Sequence, residues 1–558
     1  MDLRAVGRNE TVTEWTRADS DSQGGGTWRL CPRRRAPLIR TVAWTVAIVS
    51  TGVLMAAPWL RQELVPAGWL AAAGGLALVT GRRGWQTELS VLAAATLAIA
   101  LAFHWTPAVL ADATRSSTVV GLAFAAPIVL WDACRLALPF WAVGRLVRDA
   151  RDAWLPAALV AVAAEAVVPG LFPWKLGYAQ LAWPAVVQSA DLVGAEGPTF
   201  TFFAAAGSLV VIGGLLTCGR PSPVGIAALV VTAANLAYGA VAIQRETARM
   251  AAAPKLRVAL VQVDPDRSGA VDQLRALTRA ACESHQPPDL VCWPECSGGS
   301  YEEGLASFTD EAVVFRRSRE PLRGLRPWPE PACPLLFGGR VYRGYREKPT
   351  AIFQAAILLD DREQLVGVYH KRHLMPFGEY VPFADVIPEL RLSFPVAVPY
   401  DVGGEPTVIG CGRARIGSLL CYEDMVPTAA ASLVDRSASV LISLIHGAAF
   451  TNPLTLLQHR LLAQQRSIEL RRCLVRCGST GETCVVDATG RVTRRLPLGS
   501  AGLLTADVPL LEGRSLASRL GRAFPAACGL GLLGLMARRR LRRLGAFSLG
   551  AWRSGPKA

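Results

Sequence analysis

Long runs of apolar residues fill the first 245 positions of this 558-residue chain. An α-helix needs about 20 mostly apolar residues to cross the hydrocarbon core of a bilayer, and such runs cannot all be covered by one small soluble core. Seven runs precede position 245 and an eighth lies near the C-terminus. The predicted spans are 42–60, 65–80, 89–110, 119–143, 154–172, 200–216, 224–243 and 523–536. The sequence therefore predicts an α-helical transmembrane bundle of about eight helices.

Charged residues are concentrated between the seventh and eighth runs. Only 18% of the chain is charged and its mean hydropathy is +0.30, whereas about a quarter of a soluble domain is charged. The polar stretch is long enough to have a core of its own. We predict a disordered cytoplasmic tail at 1–40, a seven-helix membrane domain at 41–245, a catalytic domain at 255–519, a transmembrane helix at 522–537 and a basic cytoplasmic tail at 538–558.

Arginine clusters indicate the topology of these spans. They lie in the N-terminal segment, in every second connection and after the last run, at positions 33–35, 82–83, 145–151, 220 and 538–543. Connections on the cytoplasmic side carry the excess of arginine and lysine. Both termini are therefore predicted in the cytoplasm and residues 255–519 on the opposite face.

Much of the +15 net charge lies in these clusters. Since no base-reading module is visible, no nucleic-acid partner is expected.

The thirteen cysteines are odd in number and irregularly spaced, so they do not form a disulfide scaffold. A single bridge within 255–519 remains open. Cys292 and Cys296 flank Glu295, but no second pair at ligand spacing completes a zinc site. We expect no metal and no cofactor.

Two charged residues lie three positions apart inside the fourth run. Asp132 and Arg135 can pair on one face of a helix at this spacing. Charges within the membrane are often functional. A pair that holds helices together is the interpretation that we favour.

The polar stretch alternates strand-like and helix-like segments. Strands are predicted at 256–263, 290–293, 334–338, 351–359, 365–370, 416–420, 440–445 and 483–487. Residues 271–283 are predicted to be helical, 458–471 to form an amphipathic helix, and 487–490 to form a tight turn. Short apolar strands that alternate with helices indicate an α/β domain.

Three reactive side chains each follow a predicted strand. Cys421 follows 416–420, Glu295 follows 290–293 and Lys371 follows 365–370. The ends of adjacent strands in such a sheet meet in one crevice. There a carboxylate can act as base for a thiol, while an ammonium and a helix N-terminus favour the thiolate and the oxyanion. Taken singly, each is more often a buried cysteine or a solvated surface charge.

Three motifs resemble those of the nitrilase superfamily. They are Trp-Pro-Glu ending at Glu295, Lys-Arg-His-Leu-Met-Pro-Phe-Gly-Glu from Lys371 to Glu379, and Cys-Tyr-Glu from Cys421 to Glu423. The second motif and the flanking spans are similar to those of the apolipoprotein N-acyltransferases. So are Phe-Pro-Trp-x-x-Gly-Tyr-x-Gln from Phe172 and Gly-x-Glu-Gly from Gly194. The resemblance covers about 41–536 and implies a nitrilase-like αββα sandwich beside the bundle.

The resemblance also implies residue roles. Glu295 corresponds to the general base, Lys371 to the lysine that stabilises the oxyanion, and Cys421 to the nucleophile. Glu379 corresponds to a second acidic residue near the lysine. Tyr422 and Glu423 correspond to a supporting pair after the nucleophile. For Glu379 and Glu423 the alternative is a buried structural carboxylate that accepts backbone hydrogen bonds.

The implied reaction is acyl transfer through a thioester. Cys421 would take an acyl chain from a membrane phospholipid and pass it to the N-terminal amine of a diacylglyceryl-cysteine apolipoprotein. The implied location is the bacterial inner membrane, with several passes and the catalytic domain on the extracytoplasmic side. A monomer is expected.

Two segments depart from the family pattern. An Asn-Asp-Ala-Trp-Phe-Gly run is expected after 440–445, but the chain has His-Gly-Ala-Ala-Phe-Thr from His446. Arg-x-x-Asn-x-Gly is replaced by Arg-Cys-Gly-Ser-Thr-Gly from Arg476. Both segments are expected to line the crevice. His446 either adds a titrating group or acts as a spacer, which we favour.

Two other functions remain open. A membrane-tethered carbon–nitrogen hydrolase, such as an amidase, would resolve the thioester with water. A non-catalytic scaffold with a degenerate nitrilase domain would keep its role without the Cys421 thiol.

Overall fold

The computed structural model describes most of the chain. The described residues are 13–17, 28–32, 36–216, 222–264, 268–297, 300–303, 315–317, 333–345, 348–362, 364–447, 450 and 452–553. The arginines at 33–35 and 220, and residues 448–449 and 451 of the segment that departs from the family pattern, lie outside them.

The N-terminal part is almost entirely helical. Its elements are β1 (Thr13–Arg17), β2 (Trp28–Pro32), α1 (Ala36–Leu60), α2 (Val65–Val79), α3 (Trp85–Ala102), α4 (Thr106–Ala113), α5 (Thr118–Leu146), α6 (Trp154–Val167), α7 (Pro184–Val187), α8 (Ala190–Val193), α9 (Gly197–Leu216) and α10 (Pro223–Ala252). The strands β1 and β2 pair antiparallel. Among the described residues, six helices are long and apolar enough to cross a membrane, and α6 is a shorter apolar helix.

Two predicted spans were too long. The third was placed at 89–110, but α3 ends at Ala102 and a separate helix, α4, begins at Thr106. Pro107 lies in the first turn of α4, where its missing N–H is tolerated. In the interior of one long helix over 89–110 the same proline would break the helix, so a new helix begins here. The fifth was placed at 154–172, but α6 ends at Val167 because Pro169 and Gly170 follow.

The connection from α6 to α9 is buried. It contains α7, α8 and a short 3-10 helix, Leu176–Gln180, whose five residues are all buried. Gln180 Nε2 donates to the Pro198 carbonyl at 2.8 Å, and the Trp69 indole donates to Gln180 Oε1 at 2.9 Å. A Cβ on Gly177 would lie 2.2 Å from the Pro198 carbonyl carbon, so only glycine permits this approach.

The described residues of the C-terminal part form fourteen strands and six α-helices. They are β3 (Lys255–Gln262), α11 (Ala270–Cys282), β4 (Leu290–Cys292), β5 (Ser300–Glu303), β6 (Phe315–Arg317), β7 (Leu335–Tyr345), β8 (Lys348–Leu359), β9 (Leu365–His370), α12 (Leu390–Ser393), β10 (Val408–Cys411), β11 (Ala414–Leu420), α13 (Pro427–Asp435), β12 (Val440–Ile445), α14 (Pro453–Leu470), β13 (Leu474–Gly478), β14 (Cys484–Val486), β15 (Val492–Arg495), β16 (Gly502–Pro509), α15 (Leu516–Leu520) and α16 (Ala523–Arg553).

The strands form two sheets packed face to face. One sheet has the order β16-β3-β4-β7-β5-β6, with β8 beside β7 and β9 beside β8. The other contains β10 to β15 in chain order. Buried residues of both sheets, such as Leu260, Leu358, Ile416 and Leu441, share one core. The helix α11 packs outside the first sheet, and α13 and α14 pack outside the second. The predicted fold class, a helical membrane part beside an αββα sandwich, is confirmed.

Two helices differ from their predictions. The helix α16 continues to Arg553, well past 537, because leucine and arginine favour helix. The helix α14 was expected to be amphipathic, yet fifteen of its residues are buried. Its polar face is covered by the membrane helices and by the sheet rather than by water.

Candidate active site

Glu295, Lys371 and Cys421 reach the site from both sheets. Glu295 follows β4 and Lys371 follows β9 in the larger sheet, whereas Cys421 follows β11 in the smaller one. The expectation of adjacent strand ends in a single sheet was therefore wrong. Stacking the sheets brings the end of β11 opposite the ends of β4 and β9, because the sandwich aligns strands of both layers.

Lys371 joins two carboxylates in a buried ionic cluster. Its Nζ lies 3.1 Å from Glu295 Oε1 and 2.6 Å from Glu379 Oε1. The second oxygen of Glu295 accepts from the His446 backbone N–H at 3.2 Å, and that of Glu379 from the Met375 N–H at 2.8 Å. Burial disfavours the ammonium, but both carboxylates outweigh burial and hold the pKa of Lys371 well above its ordinary value. Lys371 is therefore a permanent cation.

The Cys421 thiol is neutral in the free site. Burial raises its pKa well above the ordinary value, Glu295 raises it further and Lys371 lowers it only in part. The expected thiolate stabilisation by a helix N-terminus was wrong, since Cys421 begins a 3-10 helix of five residues, Cys421–Met425, and α13 starts later. A neutral thiol needs a base during attack.

The backbone at Cys421 is left-handed, with φ of +45°. A residue with a Cβ seldom adopts this conformation, and it persists only where neighbours enforce it. Glu423 is the main neighbour that enforces it. Its Oε2 accepts from the Leu420 N–H at 3.0 Å, and its Oε1 accepts from the Tyr369 hydroxyl and the Arg372 N–H, both at 2.8 Å.

The remaining supporting residues have distinct environments. Glu423 is a buried carboxylate that accepts hydrogen bonds from several backbone N–H groups. This matches the alternative in which Glu423 has a structural role. Glu379 combines one backbone donor with the ion pair to Lys371. Tyr422 donates to the Leu171 carbonyl at 3.1 Å, so it ties the nucleophile turn to the membrane part.

An apolar pocket lies beside Cys421. Its walls are mainly apolar and come from both parts of the chain: Phe103, Trp105, Phe172, Met375, Cys421, Tyr422, Met425, Phe450, Thr455, Gln458, His459 and Leu462. Below it, Trp59 and Trp174 pack edge-on with ring centroids 6.0 Å apart. The nucleophile therefore faces a space suited to an apolar chain.

A second polar cluster behind Cys421 was missed by sequence reasoning. Asp424 accepts from His459 Nε2 at 2.8 Å, from the Ser443 hydroxyl at 2.9 Å and from Arg476 Nε at 3.0 Å. Burial disfavours the charged carboxylate, but Arg476 and His459 outweigh it, so the pKa of Asp424 is lowered. The only sequence signal was the position of Asp424 directly after the Cys-Tyr-Glu motif.

Of the described residues in the two segments that depart from the family pattern, Phe450 lines the cavity, and others support the site. Arg476 binds Asp424, and the Ser479 hydroxyl accepts from the Gly447 N–H at 3.0 Å. His446 contributes its backbone N–H to Glu295.

Cys282 and Cys333 form a disulfide, which settles the open question of a bridge. Cys292 and Cys296, which flank Glu295, are free. Within the described residues, no group of three or more histidine, cysteine, aspartate or glutamate side chains could hold a metal ion.

The fold and the buried Glu-Lys-Cys constellation define a membrane-anchored protein of the carbon–nitrogen hydrolase class. The carbon–nitrogen hydrolase family model matches residues 257–517, and the model of the apolipoprotein N-acyltransferase N-terminal domain matches 51–208. The apolipoprotein N-acyltransferase of Azotobacter vinelandii is 30% identical over 83% of this chain and 87% of its own length. That of Geobacter metallireducens is 27% identical over 87% and 92%. The chain belongs to the apolipoprotein N-acyltransferase family.

Solved structures of the nitrilase superfamily align with about half of the chain. An amidase from Nesterenkonia sp. AN1 is 20% identical, with a TM-score of 0.35 over 48% of this chain and 94% of its own. A nitrilase-superfamily member from Saccharomyces cerevisiae is 17% identical, with a TM-score of 0.33 over 48% and 93%.

Proposed function

We propose that this chain transfers an acyl chain from a membrane phospholipid to the N-terminal amine of a diacylglyceryl-cysteine apolipoprotein. The observation that carries the proposal is the position of Cys421, near the Glu295–Lys371 ion pair and beside an apolar cavity that Phe103, Trp105 and Phe172 of the N-terminal part help to line. A nucleophile that faces such a cavity can attack a lipid ester without exposing the acyl chain to water.

In the first half-reaction Cys421 attacks the ester carbonyl. The thiol proton moves to Glu295 as the sulfur–carbon bond forms, and Lys371 stabilises the oxyanion. The ester carbon–oxygen bond then breaks. Glu295 returns the proton to the leaving oxygen, which releases a lysophospholipid and leaves a thioester on Cys421.

In the second half-reaction an amine replaces the sulfur. The free amine attacks the thioester carbonyl, a nitrogen-bound proton moves to Glu295, and the carbon–sulfur bond breaks. Glu295 then gives that proton to the departing sulfur. The products are an amide and the original thiol, as in other two-step acyl transfers.

We propose that the catalytic domain lies on the extracytoplasmic face of the bacterial inner membrane. The arginine asymmetry supports this placement. The Cys282–Cys333 disulfide supports it too, since disulfides persist in oxidising compartments. Exposed apolar side chains after the lysine motif, among them Phe383, Val386 and Leu392, suit a surface next to lipid.

The decisive experiment is acyl trapping. Purified protein is incubated with phospholipid labelled in its acyl chain. We expect one hydroxylamine-labile adduct and one lysophospholipid per active protein, both absent in Cys421→Ala. Cys411→Ala, at a half-buried cysteine on β10, is the matched control and should keep the adduct.

The acceptor decides between the alternatives. Turnover that requires a diacylglyceryl-cysteine peptide supports acyl transfer. Steady release of free fatty acid without that peptide would instead identify a hydrolase. No adduct in the parent protein, with cellular function retained by Cys421→Ala, would identify a scaffold.

A further inference from the structure

In the second half-reaction the acceptor ammonium loses two protons, and Glu295 accepts only one of them. An α-amine has an ordinary pKa of about 7.7–8.0, so much of it is an ammonium near neutral pH. The ammonium must lose one proton before it attacks and a second one during amide formation. Glu295 returns the second proton to sulfur. Another group must take the first.

His459 has the position and chemistry of that group. Its ring lines the same cavity as Cys421, and it is only 6% exposed. Its Nε2 lies 2.8 Å from Asp424 Oδ1. Because a carboxylate accepts from Nε2–H, the neutral ring has its lone pair on Nδ1.

Asp424 is held in place to support a charged imidazole. It is fully buried, and both Ser443 and Arg476 donate to its other oxygen. A fixed carboxylate beside a histidine orients the ring and stabilises the imidazolium when a proton arrives.

We infer that His459 accepts the first proton from the acceptor ammonium, so that Glu295 and His459 divide the two proton transfers of aminolysis. This inference rests on the proposed function. The nitrogen–hydrogen bond of the ammonium breaks, its electron pair stays on nitrogen, and the proton binds Nδ1. After the product leaves, His459 releases the proton to water.

Other titratable or charged groups lie near His459. Cys421 and Tyr422 line the cavity with it, Asp424 contacts it, and Arg476 contacts Asp424. Arg460, the next residue on α14, pairs with Glu482 at 2.6 Å. None of these is a neutral base at pH 7: arginines are cations, Asp424 is ionised, and burial raises the pKa of Tyr422 to about 12.

The test separates the two half-reactions. In His459→Gln the side-chain amide can still donate to Asp424 but offers no basic nitrogen. Because His459 also lines the cavity beside Cys421, the rate of each half-reaction is measured separately, and transfer to the amine should be slowed more than thioester formation and lysophospholipid release. Transfer from the isolated thioester to a diacylglyceryl-cysteine peptide at pH 7 should fall about 10-fold, because only about a tenth of the amine is unprotonated at that pH. The deficit should shrink above pH 8, where the free amine predominates. His285→Gln, at an exposed histidine, is the control.

Three outcomes are informative. Equal aminolysis in His459→Gln and the parent would overturn the inference while leaving the proposed function intact. Loss of both half-reactions at every pH would show that His459 only holds the nucleophile turn, and would overturn it too. Failure of the parent protein to form a thioester would instead refute the proposed function.

Discussion

Two neighbouring side chains of opposite charge, Glu295 and Lys371, influence the protonation of the Cys421 thiol. Glu295 raises the pKa of the thiol and Lys371 lowers it, while burial favours the neutral form most of all. The same carboxylate that hinders thiolate formation in the free site is the base that takes the proton during attack. Proton removal is therefore coupled to the formation of the sulfur–carbon bond.

Replacing Glu295 should move two rates in opposite directions. In Glu295→Gln the carboxylate charge is lost, so the pKa of Cys421 falls and more thiolate is present at a given pH. Alkylation by iodoacetamide at pH 8 should be faster than in the parent. Thioester formation from phospholipid should be slower by about 10²–10⁴-fold, since the general base is gone.

Glu405→Gln, at an exposed ion pair with Arg436, is the matched control for that substitution. A parallel fall of alkylation and acylation in Glu295→Gln, with an unchanged unfolding midpoint, would contradict the assigned electrostatics.

At the scale of elements, close helix contacts set the shape of the membrane part. The helix α10 passes so near α7 that a Cβ on Gly239 would lie 1.8 Å from the Ala185 carbonyl oxygen. Asn235, one turn earlier, donates to the Val186 carbonyl at 2.8 Å. Small residues at such crossings let helix backbones approach. This contact fixes where α10 leaves the membrane part and leads into β3.

Gly239→Ala should therefore push α10 from α7. Overpacking of this kind costs about 1–3 kcal/mol, and the thermal midpoint in detergent should fall. Gly74→Ala in α2 is the comparison, because among the described residues a Cβ there meets nothing within 4 Å. Equal midpoints for both variants would show that α7 moves freely with α10.

At the scale of the whole molecule, a buried polar interface joins the membrane and catalytic parts. Arg466 of α14 donates to the Tyr178 hydroxyl at 2.7 Å, and Arg471 pairs with Asp191 at 2.8 Å. Gln458 donates to the Ala102 carbonyl at 2.8 Å and accepts from the Trp105 indole at 2.9 Å. Since unpaired buried polar groups are costly, these bonds specify one docking geometry, and the cavity depends on it.

Topology is testable on the same scale. Ser284, in the catalytic domain, and Arg83, between α2 and α3, are both exposed. In intact spheroplasts a membrane-impermeant maleimide should label Ser284→Cys beyond the background of the parent protein. It should label Arg83→Cys only after lysis. The reverse pattern would place the catalytic domain in the cytoplasm and refute the proposed location.

Apolar length, arginine placement and strand periodicity are local properties, so the sequence alone was enough to predict most elements. The strands at 365–370 and 440–445 were predicted with the bounds that the structure has. The Asp132–Arg135 pair, at 2.6 Å, is confirmed, because spacing along one helix determines it. The three motifs also indicated Glu295, Lys371 and Cys421 as site candidates.

Only the tertiary structure decided what surrounds those residues. The pKa of Cys421 depends on burial and on charges from a second sheet. The pairing of Asp424 with His459 joins positions 35 residues apart, and the cavity combines residues from both parts of the chain. Such contacts arise from packing between distant segments, which no local pattern of residues encodes.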